Sequence, residues 1–535
     1  MIERRAITWL GAALLFAALA IVMGWPLVRH AGSMAAQHQD VFFNMWRLRW
    51  VAHALATSPA HLFDANIFYP EKDTLAYSDA MLFEGVIAAP FSRFNPVLVH
   101  NVMMLLPMAA SGVAMFAFAW YLTGSRGAGA IAGIAFAFAP FRFEHIMHME
   151  LQWTVWMPAA FLALHRLFDG GRWRDGLAVG AAISLQMLSC IYYGIFLGML
   201  LGTAASLLIF YDRRAGWRTV LPPLAAGVAI ALVITLLYSL PYRRVHALVG
   251  DRPIDEVHTF SAQPANYLVA PPGNWLYGNA ARPGRAERRL YPGAIVTLLA
   301  LAGLLLQRPT PRQLTYLLVL ALAFDMSLGY GGVTYPVLAR FVGAFRSLRA
   351  LARLGIFVVM FLSVLAAYGY ATLVRSVRPR VRVLICTCLM AGMLAEYRTT
   401  FNVVEFPSAP PPLYRILARQ PEGVVAELPV PAVERLGFDS RPAYLSTFHW
   451  FATVNGYSGN YPPSYLARMD RLRGFPDERS LRQLRRDSVR YVILHTAEYE
   501  PEKLQSIRGQ LLGGGMVELG KFDDGEAGAF LYTIR

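Results

Sequence analysis

Ionisable residues are sparse in this chain, and those that could do chemistry stand together in four short stretches. The first reads Gln37-His-Gln-Asp40-Val-Phe-Phe-Asn44-Met-Trp46. A lone carboxylate such as Asp40 can accept a proton in catalysis, or simply cap the helix that follows it. The second stretch is Arg142-Phe-Glu144-His145-Ile-Met-His148-Met-Glu150-Leu-Gln152-Trp153. On a continuous helix Glu144 and His148 would share a face, as would His145 and His148. That spacing suits acid–base work, or a metal held by two histidines and a carboxylate. The plainer alternative is a hydrated interfacial cluster anchored by Trp153. The third and fourth stretches are basic and aromatic. One carries Tyr267, Trp275 and Tyr277 followed by Arg282, Arg285, Arg288 and Arg289. The other is Phe345-Arg346-Ser-Leu-Arg349-Ala-Leu-Ala-Arg353. Guanidinium groups hold phosphate bidentately, so these arginines suit a lipid-phosphate ligand. Their alternative is pairing with Asp251, Asp255, Glu256 and Glu287.

The elements that must position these groups are membrane helices. Of 535 residues, 56% are hydrophobic and only 16% charged, with a mean hydropathy of +0.40. Apolar runs long enough to cross a bilayer recur along the chain. A soluble enzyme, a disordered chain and a disulfide scaffold are excluded. Cys190, Cys386 and Cys388 all lie in apolar segments. The net charge of +15 comes almost wholly from arginine, since Lys72, Lys503 and Lys521 are the only lysines. Arginine collects at the ends of apolar runs, as the positive-inside rule requires, so no nucleic-acid partner is expected.

Spans are expected near 6–25, 97–122, 128–141, 150–168, 177–192, 194–211, 219–241, 292–306, 314–330, 352–374 and 383–397, about eleven in all. The loops with Arg126, Arg172/Arg174, Arg213/Arg214/Arg218, Arg308/Arg312 and Arg375/Arg378/Arg380/Arg382 then lie on the side of Arg4 and Arg5. That puts the N-terminus in the cytoplasm of a bacterial inner membrane and the long loops outside. The long loops are 26–96, 142–149, 242–291 and 331–351. In the first, Phe42, Phe43, Trp46, Trp50, Val51 and Leu55 would lay an amphipathic helix on the membrane surface. Residues 1–397 thus form a multi-span domain. Pro407 and Pro410 to Pro412 mark a linker, and 398–535 reads as a small extracytoplasmic α/β domain. Its strands are expected at 423–430, 490–495, 516–519 and 529–534, with helices at 464–472 and 478–486. Asp325, His165 and Glu396 are the ionisable residues nearest to mid-membrane depth, and they make no evident relay.

Taken together, these residues make the chain resemble the GT-C superfamily of membrane glycosyltransferases, particularly bacterial groups without an assigned substrate. The resemblance rests on Gln39-Asp40, Phe68-Tyr-Pro70, the histidine-rich turn entering Leu151-Gln152-Trp153, and Tyr267-Leu…Pro271-Pro272…Leu276-Tyr277-Gly278. Phe345-Arg346…Arg353 and Val454-Asn455-Gly456-Tyr457-Ser458-Gly459 belong to it as well. It implies a polyprenyl-phosphate-linked sugar as donor, transfer on the outer face with inversion, and an envelope glycan, lipid or protein as acceptor. It also implies that Asp40 is the general base, with Glu144 and His148 as further catalytic candidates. Arg346, Arg349, Arg353, His145, Glu150, Gln152 and Tyr267 become substrate-binding candidates. A base in this role should be desolvated, which raises its pKa. Asp40 has no neighbouring second carboxylate, so no cofactor is expected; a divalent metal is the minor alternative. A transporter or flippase of lipid-linked glycans is the competing reading. It would need polar residues lining a path through both leaflets.

Overall fold

The computed structural model describes residues 2–211, 216–280 and 284–534. Arg213, Arg214 and Arg282 lie outside the described residues, and so do the side chains of Arg4 and Arg5. All eleven apolar segments are helical: Ile2–Met23, Pro96–Thr123, Arg126–Ala137, Trp156–Gly170, Trp173–Ser189, Ile191–Tyr211, Trp217–Val249, Ala294–Leu305, Pro311–Ser327, Gly355–Leu373 and Pro379–Tyr397. Among the described residues, five helical segments are long and apolar enough to cross a membrane: Ala6–Met23, Pro96–Thr123, Ile191–Tyr211, Trp217–Val249 and Leu351–Leu373. The chain is a multi-pass membrane protein. Local signals place the helix ends. Thr310 and Gln313 form a capping box before Leu314, and Gly171 ends its helix in the left-handed conformation.

The chain divides into two compact units. The first comprises Met1–Arg29, Val102–Tyr238 and Asp251–Asn402; the second comprises His30–Asn101, Ser239–Gly250 and Val403–Arg535. Helices of the first unit approach closely through small residues. A Cβ on Gly369 would lie 1.8 Å from the Leu299 carbonyl oxygen, and one on Gly303 would lie 2.5 Å from that of Leu365. Backbones pressed this close tolerate no side chain. Gly369→Val should therefore lower stability by about 1–3 kcal/mol or more, read as a fall in the thermal unfolding midpoint in detergent.

The ionisable groups near mid-membrane depth all have structural partners. Glu396 accepts hydrogen bonds from Tyr291 Oη at 2.7 Å and from the Ala294 backbone N–H at 2.6 Å, at the start of the helix Ala294–Leu305. Asp325 accepts from the N–H groups of Val333 and Thr334, at the start of the helix Thr334–Phe341. His165 meets Tyr316 Oη at 2.5 Å. Each is used locally, as a cap or a core hydrogen bond, which does not make a path through both leaflets.

In the second unit, β1 (Met34–Ala36) pairs antiparallel with β2 (Val403–Glu405), so the first long loop and the tail share a sheet. A four-stranded sheet follows, made of β3 (Val424–Leu428), β4 (Val489–His495), β5 (Met516–Phe522) and β6 (Ala529–Ile534). Its order is β3-β4-β6-β5, with β3 and β4 parallel and the other pairs antiparallel. The helices Pro463–Leu472 and Glu478–Arg486 fall where expected.

The helix Gln39–Thr57 departs from expectation. Its aromatic face does not lie open for a membrane surface, because Phe43, Trp46, Trp50 and Val51 are all buried. Tail residues cover this helix: Phe406 and Tyr444 pack on Phe42, and Trp450 stacks on His53 at 4.0 Å. Trp46 donates to Asn66, which in turn donates to Ser446 and to the Phe451 carbonyl.

The tail core holds a buried charge network. His495 bridges Glu427 and Asp524, at 2.7 Å each. Burial opposes the His495 charge, but the hydrogen bonds its ring donates to the two carboxylates win and raise its pKa from 6.5 to about 9. Asp524 is lowered to about 2, because His495 and backbone N–H groups outweigh its desolvation. His495 binds its proton more tightly when folded, so its contribution is complete below pH 6.5 and fades as pH rises through about 9. The midpoint of thermal unfolding should fall across that window, and His495→Gln should flatten the fall.

Candidate functional site

Asp40, expected as the cap, sits instead in the first turn of the helix Gln39–Thr57, two residues beyond the cap position. The cap is His38, whose Nδ1 accepts from the Asp40 N–H at 3.1 Å. A ring nitrogen of His38 thus satisfies an N–H of that turn, and the Asp40 carboxylate is left to make other contacts. Tyr457 Oη donates to Asp40 Oδ1 at 2.5 Å, and His38 Nδ1 stands 3.5 Å from Oδ2. The Asp40 side chain is 14% exposed, so it is largely withdrawn from water yet still reachable. A partly desolvated carboxylate that a phenol holds in place can accept a proton from a hydroxyl brought against it.

In the first unit, the histidine-rich stretch is not one helix. A short helix Pro140–Glu144 gives way to a turn, then to the 3-10 segment Met149–Leu151. Buried Arg142 causes the fold-back. Its guanidinium donates to the carbonyls of Phe136 and Gln152, each at 3.0 Å, and to the Thr154 hydroxyl. Gln152 Nε2 returns bonds to the carbonyls of Arg142 and His145. Gln152 thus helps to build the turn through its Nε2, while its buried Oε1 has no hydrogen-bond partner. The helical facing of Glu144 and His148 is lost with the helix, whereas His145 and His148 do meet, Nδ1 to Nδ1, at 3.3 Å. The stretch is not a hydrated interfacial cluster either, since Arg142, His145, Glu150 and Trp153 are all buried. Burial, together with the charges of His148, Arg353 and Arg289, pushes the His145 pKa well down, so that ring stays neutral. Glu144 is ion-paired with Arg289, and burial outweighs that pairing to raise its pKa.

The late arginines separate by partner. Arg346 faces Asp251 at 3.3 Å with both side chains about half exposed. Arg349 pairs with Glu256 at 3.0 Å and lies over the Phe260 ring. Arg353 is buried and makes no ion pair among the described residues. Its guanidinium lies 5.2 Å from the Tyr192 ring centre, and its Nε has no hydrogen-bond partner. A buried guanidinium without a fixed carboxylate is suited to an anionic ligand. Tyr267 points inward instead, donating to Ser327 Oγ at 2.9 Å and packing on Phe324, which makes it a core residue. A cavity of about 360 Å³ is lined by Arg285, Arg288, Arg289, Gln263 and Asn266 among others. Arg288 is tied to the carbonyls of Ser261 and His258, and Arg285 lies over Phe260. Among the described residues no three histidine, cysteine or carboxylate side chains are grouped to hold a metal ion.

The sequence reads Asn455-Gly456-Tyr457-Ser-Gly as a tight turn that presents Tyr457 to an acceptor or is a plain structural loop; its bond to Asp40 was not foreseen. Sequence reasoning also missed His38 as a cap and Arg289 as the partner of Glu144.

No protein-family model and no curated protein matches the sequence. Solved structures share the fold. The arabinofuranosyltransferase AftD from Mycobacteria superposes with a TM-score of 0.62 at 15% identity, over 97% of this chain and 41% of that one. ArnT from Cupriavidus metallidurans, bound to undecaprenyl phosphate, gives a TM-score of 0.50 at 14% identity over 98% of each chain. The chain spans about two fifths of the length of the arabinofuranosyltransferase.

Proposed function

The chain has the GT-C fold of membrane glycosyltransferases, and we propose that it moves a sugar from a polyprenyl-phosphate donor to an envelope acceptor. One observation carries this reading: the fold is shared along nearly the whole chain with a protein captured on undecaprenyl phosphate. The polar residues support it too, since the mid-membrane ionisable groups serve as caps and core bonds. That pattern favours an enzyme over a transporter of lipid-linked glycans.

In this reading Asp40 takes the proton of an acceptor hydroxyl as its oxygen attacks the anomeric carbon. The bond from that carbon to the phosphate oxygen breaks, and its electron pair leaves with the polyprenyl phosphate. Arg353, buried in the first unit and without an ion pair among the described residues, is suited to hold an anionic phosphate group. One base and one activated leaving group give inversion at the anomeric carbon. His145 and Glu150 lie close enough to Arg353 to shape its surroundings. Arg346 and Arg349, already paired, steer the loop rather than hold the ligand. The arginine distribution supports an N-terminus in the cytoplasm of a bacterial inner membrane, with the tail and the sugar transfer outside.

The reading is tested by supplying purified protein in lipid with labelled polyprenyl-phosphate sugars and an envelope extract as acceptor. Label should move to the acceptor fraction from at least one donor. Label that remains on lipid with every donor, although the protein binds polyprenyl phosphate, would overturn it.

A further inference from the structure

We propose that Tyr457, delivered by the tail, is a positioning residue for the Asp40 carboxylate and sets how far into acid the reaction runs. The inference rests on the reading of Asp40 as general base and goes beyond it, because it gives the tail a part in catalysis.

The geometry comes from one unit of the fold. Tyr457 reaches Asp40 across 417 residues of sequence, and its ring stands edge-on to Phe43 at 5.2 Å. The turn that presents it is fixed on several sides. The Asn455 side chain accepts from the Glu427 N–H at 2.7 Å and donates to the Glu427 carbonyl at 3.0 Å, so it mimics a strand partner for β3. The same amide donates to Asp439 Oδ1 at 3.2 Å. The Phe68 N–H donates to the Asn455 carbonyl at 3.1 Å. Gly456 lies against the Phe68 ring, where a Cβ would come within 2.5 Å of Cδ1. Tyr465 Oη donates to Asp439 Oδ2 at 2.6 Å and to the Gly456 carbonyl at 3.2 Å. The Asn-Gly-Tyr sequence is thereby explained residue by residue: a side chain that pairs with a strand, a gap for a ring, and a phenol aimed at a carboxylate.

The chemistry follows from the direction of the bond. Burial and the Asp40 charge raise the Tyr457 pKa, so its phenol stays protonated and donates. A donor on the ionised carboxylate makes that carboxylate harder to protonate. The other groups facing this pair are His38, 3.5 Å from Asp40 Oδ2, Tyr461 beside Tyr457, and Arg47, whose charge acts on the phenol. Removing the phenol hydroxyl should therefore let Asp40 protonate at higher pH and lose one constraint on its orientation.

The test is the pH profile of kcat/KM for sugar transfer by the full chain in lipid. Tyr457→Phe should move the acid limb up by about one pH unit, which is a roughly tenfold loss of rate below the limb. Difluorotyrosine at position 457 keeps the shape but has a more acidic phenol, so it should move the limb the other way. Opposite shifts cannot come from loosened packing. If both variants fold and neither moves the limb while Asp40→Asn is inactive, the role of Tyr457 is overturned and that of Asp40 stands. If Asp40→Asn keeps full activity, both fall.

Discussion

Asp40→Asn should cut sugar transfer by about a thousandfold while the protein stays folded. General-base catalysis contributes roughly 10²–10⁴ in rate, and this carboxylate is the proton acceptor in the proposed step. Asparagine has the same shape and still offers Tyr457 an oxygen, so the bond that ties helix to tail survives. The fold loses the charge of a carboxylate near a helix N-terminus, an effect worth about 0.3–1 kcal/mol. The thermal midpoint should barely move, and donor binding should persist. A loss of less than tenfold would return Asp40 to a structural role and move the search to Glu144 and Glu150.

Arg353→Lys should lower kcat by about a hundredfold, and Arg353→Ala by at least as much. Removing a single preorganised group that faces developing charge typically costs 10²–10³ in rate. Lysine keeps the charge but loses the planar fork and the contact with the Tyr192 ring. The neighbouring arginines supply the control. Arg346 is half exposed and already faces Asp251, an arrangement worth about 0–1 kcal/mol, so Arg346→Ala should change the rate by no more than about threefold. Steady-state rates of the three variants with one donor would check this order. Equal losses at 346 and 353 would contradict the assignment of the phosphate to the buried arginine.

Helices and strands were legible because each is written in local composition. Runs of Ala, Leu and Val mark the spans, and short β-branched runs such as Arg490-Tyr-Val-Ile-Leu mark the tail sheet. Partnerships over long separations were not legible. The aromatic face of the helix Gln39–Thr57 has the pattern of a membrane-surface helix, yet its cover is Phe406, Tyr444 and Trp450, some 400 residues away in sequence. The three late arginines look alike in sequence. Only the fold shows Asp251 and Glu256 meeting Arg346 and Arg349 and leaving Arg353 without an ion pair. The stretch Arg142 to Gln152 carries helical spacing, but the guanidinium of Arg142 takes the carbonyls of Phe136 and Gln152 and folds it into turns. Tyr267 looks like a binding residue in a basic loop and is a core tyrosine on Ser327.

The central claim is that the sugar leaves its lipid. Proteoliposomes loaded with polyprenyl phosphate carrying a doubly labelled sugar, one label on sugar and one on lipid, would decide it. A glycosyltransferase predicts that the labels separate, with polyprenyl phosphate released in equal measure to sugar gained by acceptor and the new linkage inverted. Labels that cross the bilayer together and stay joined would contradict it and identify a carrier of intact lipid-linked glycan.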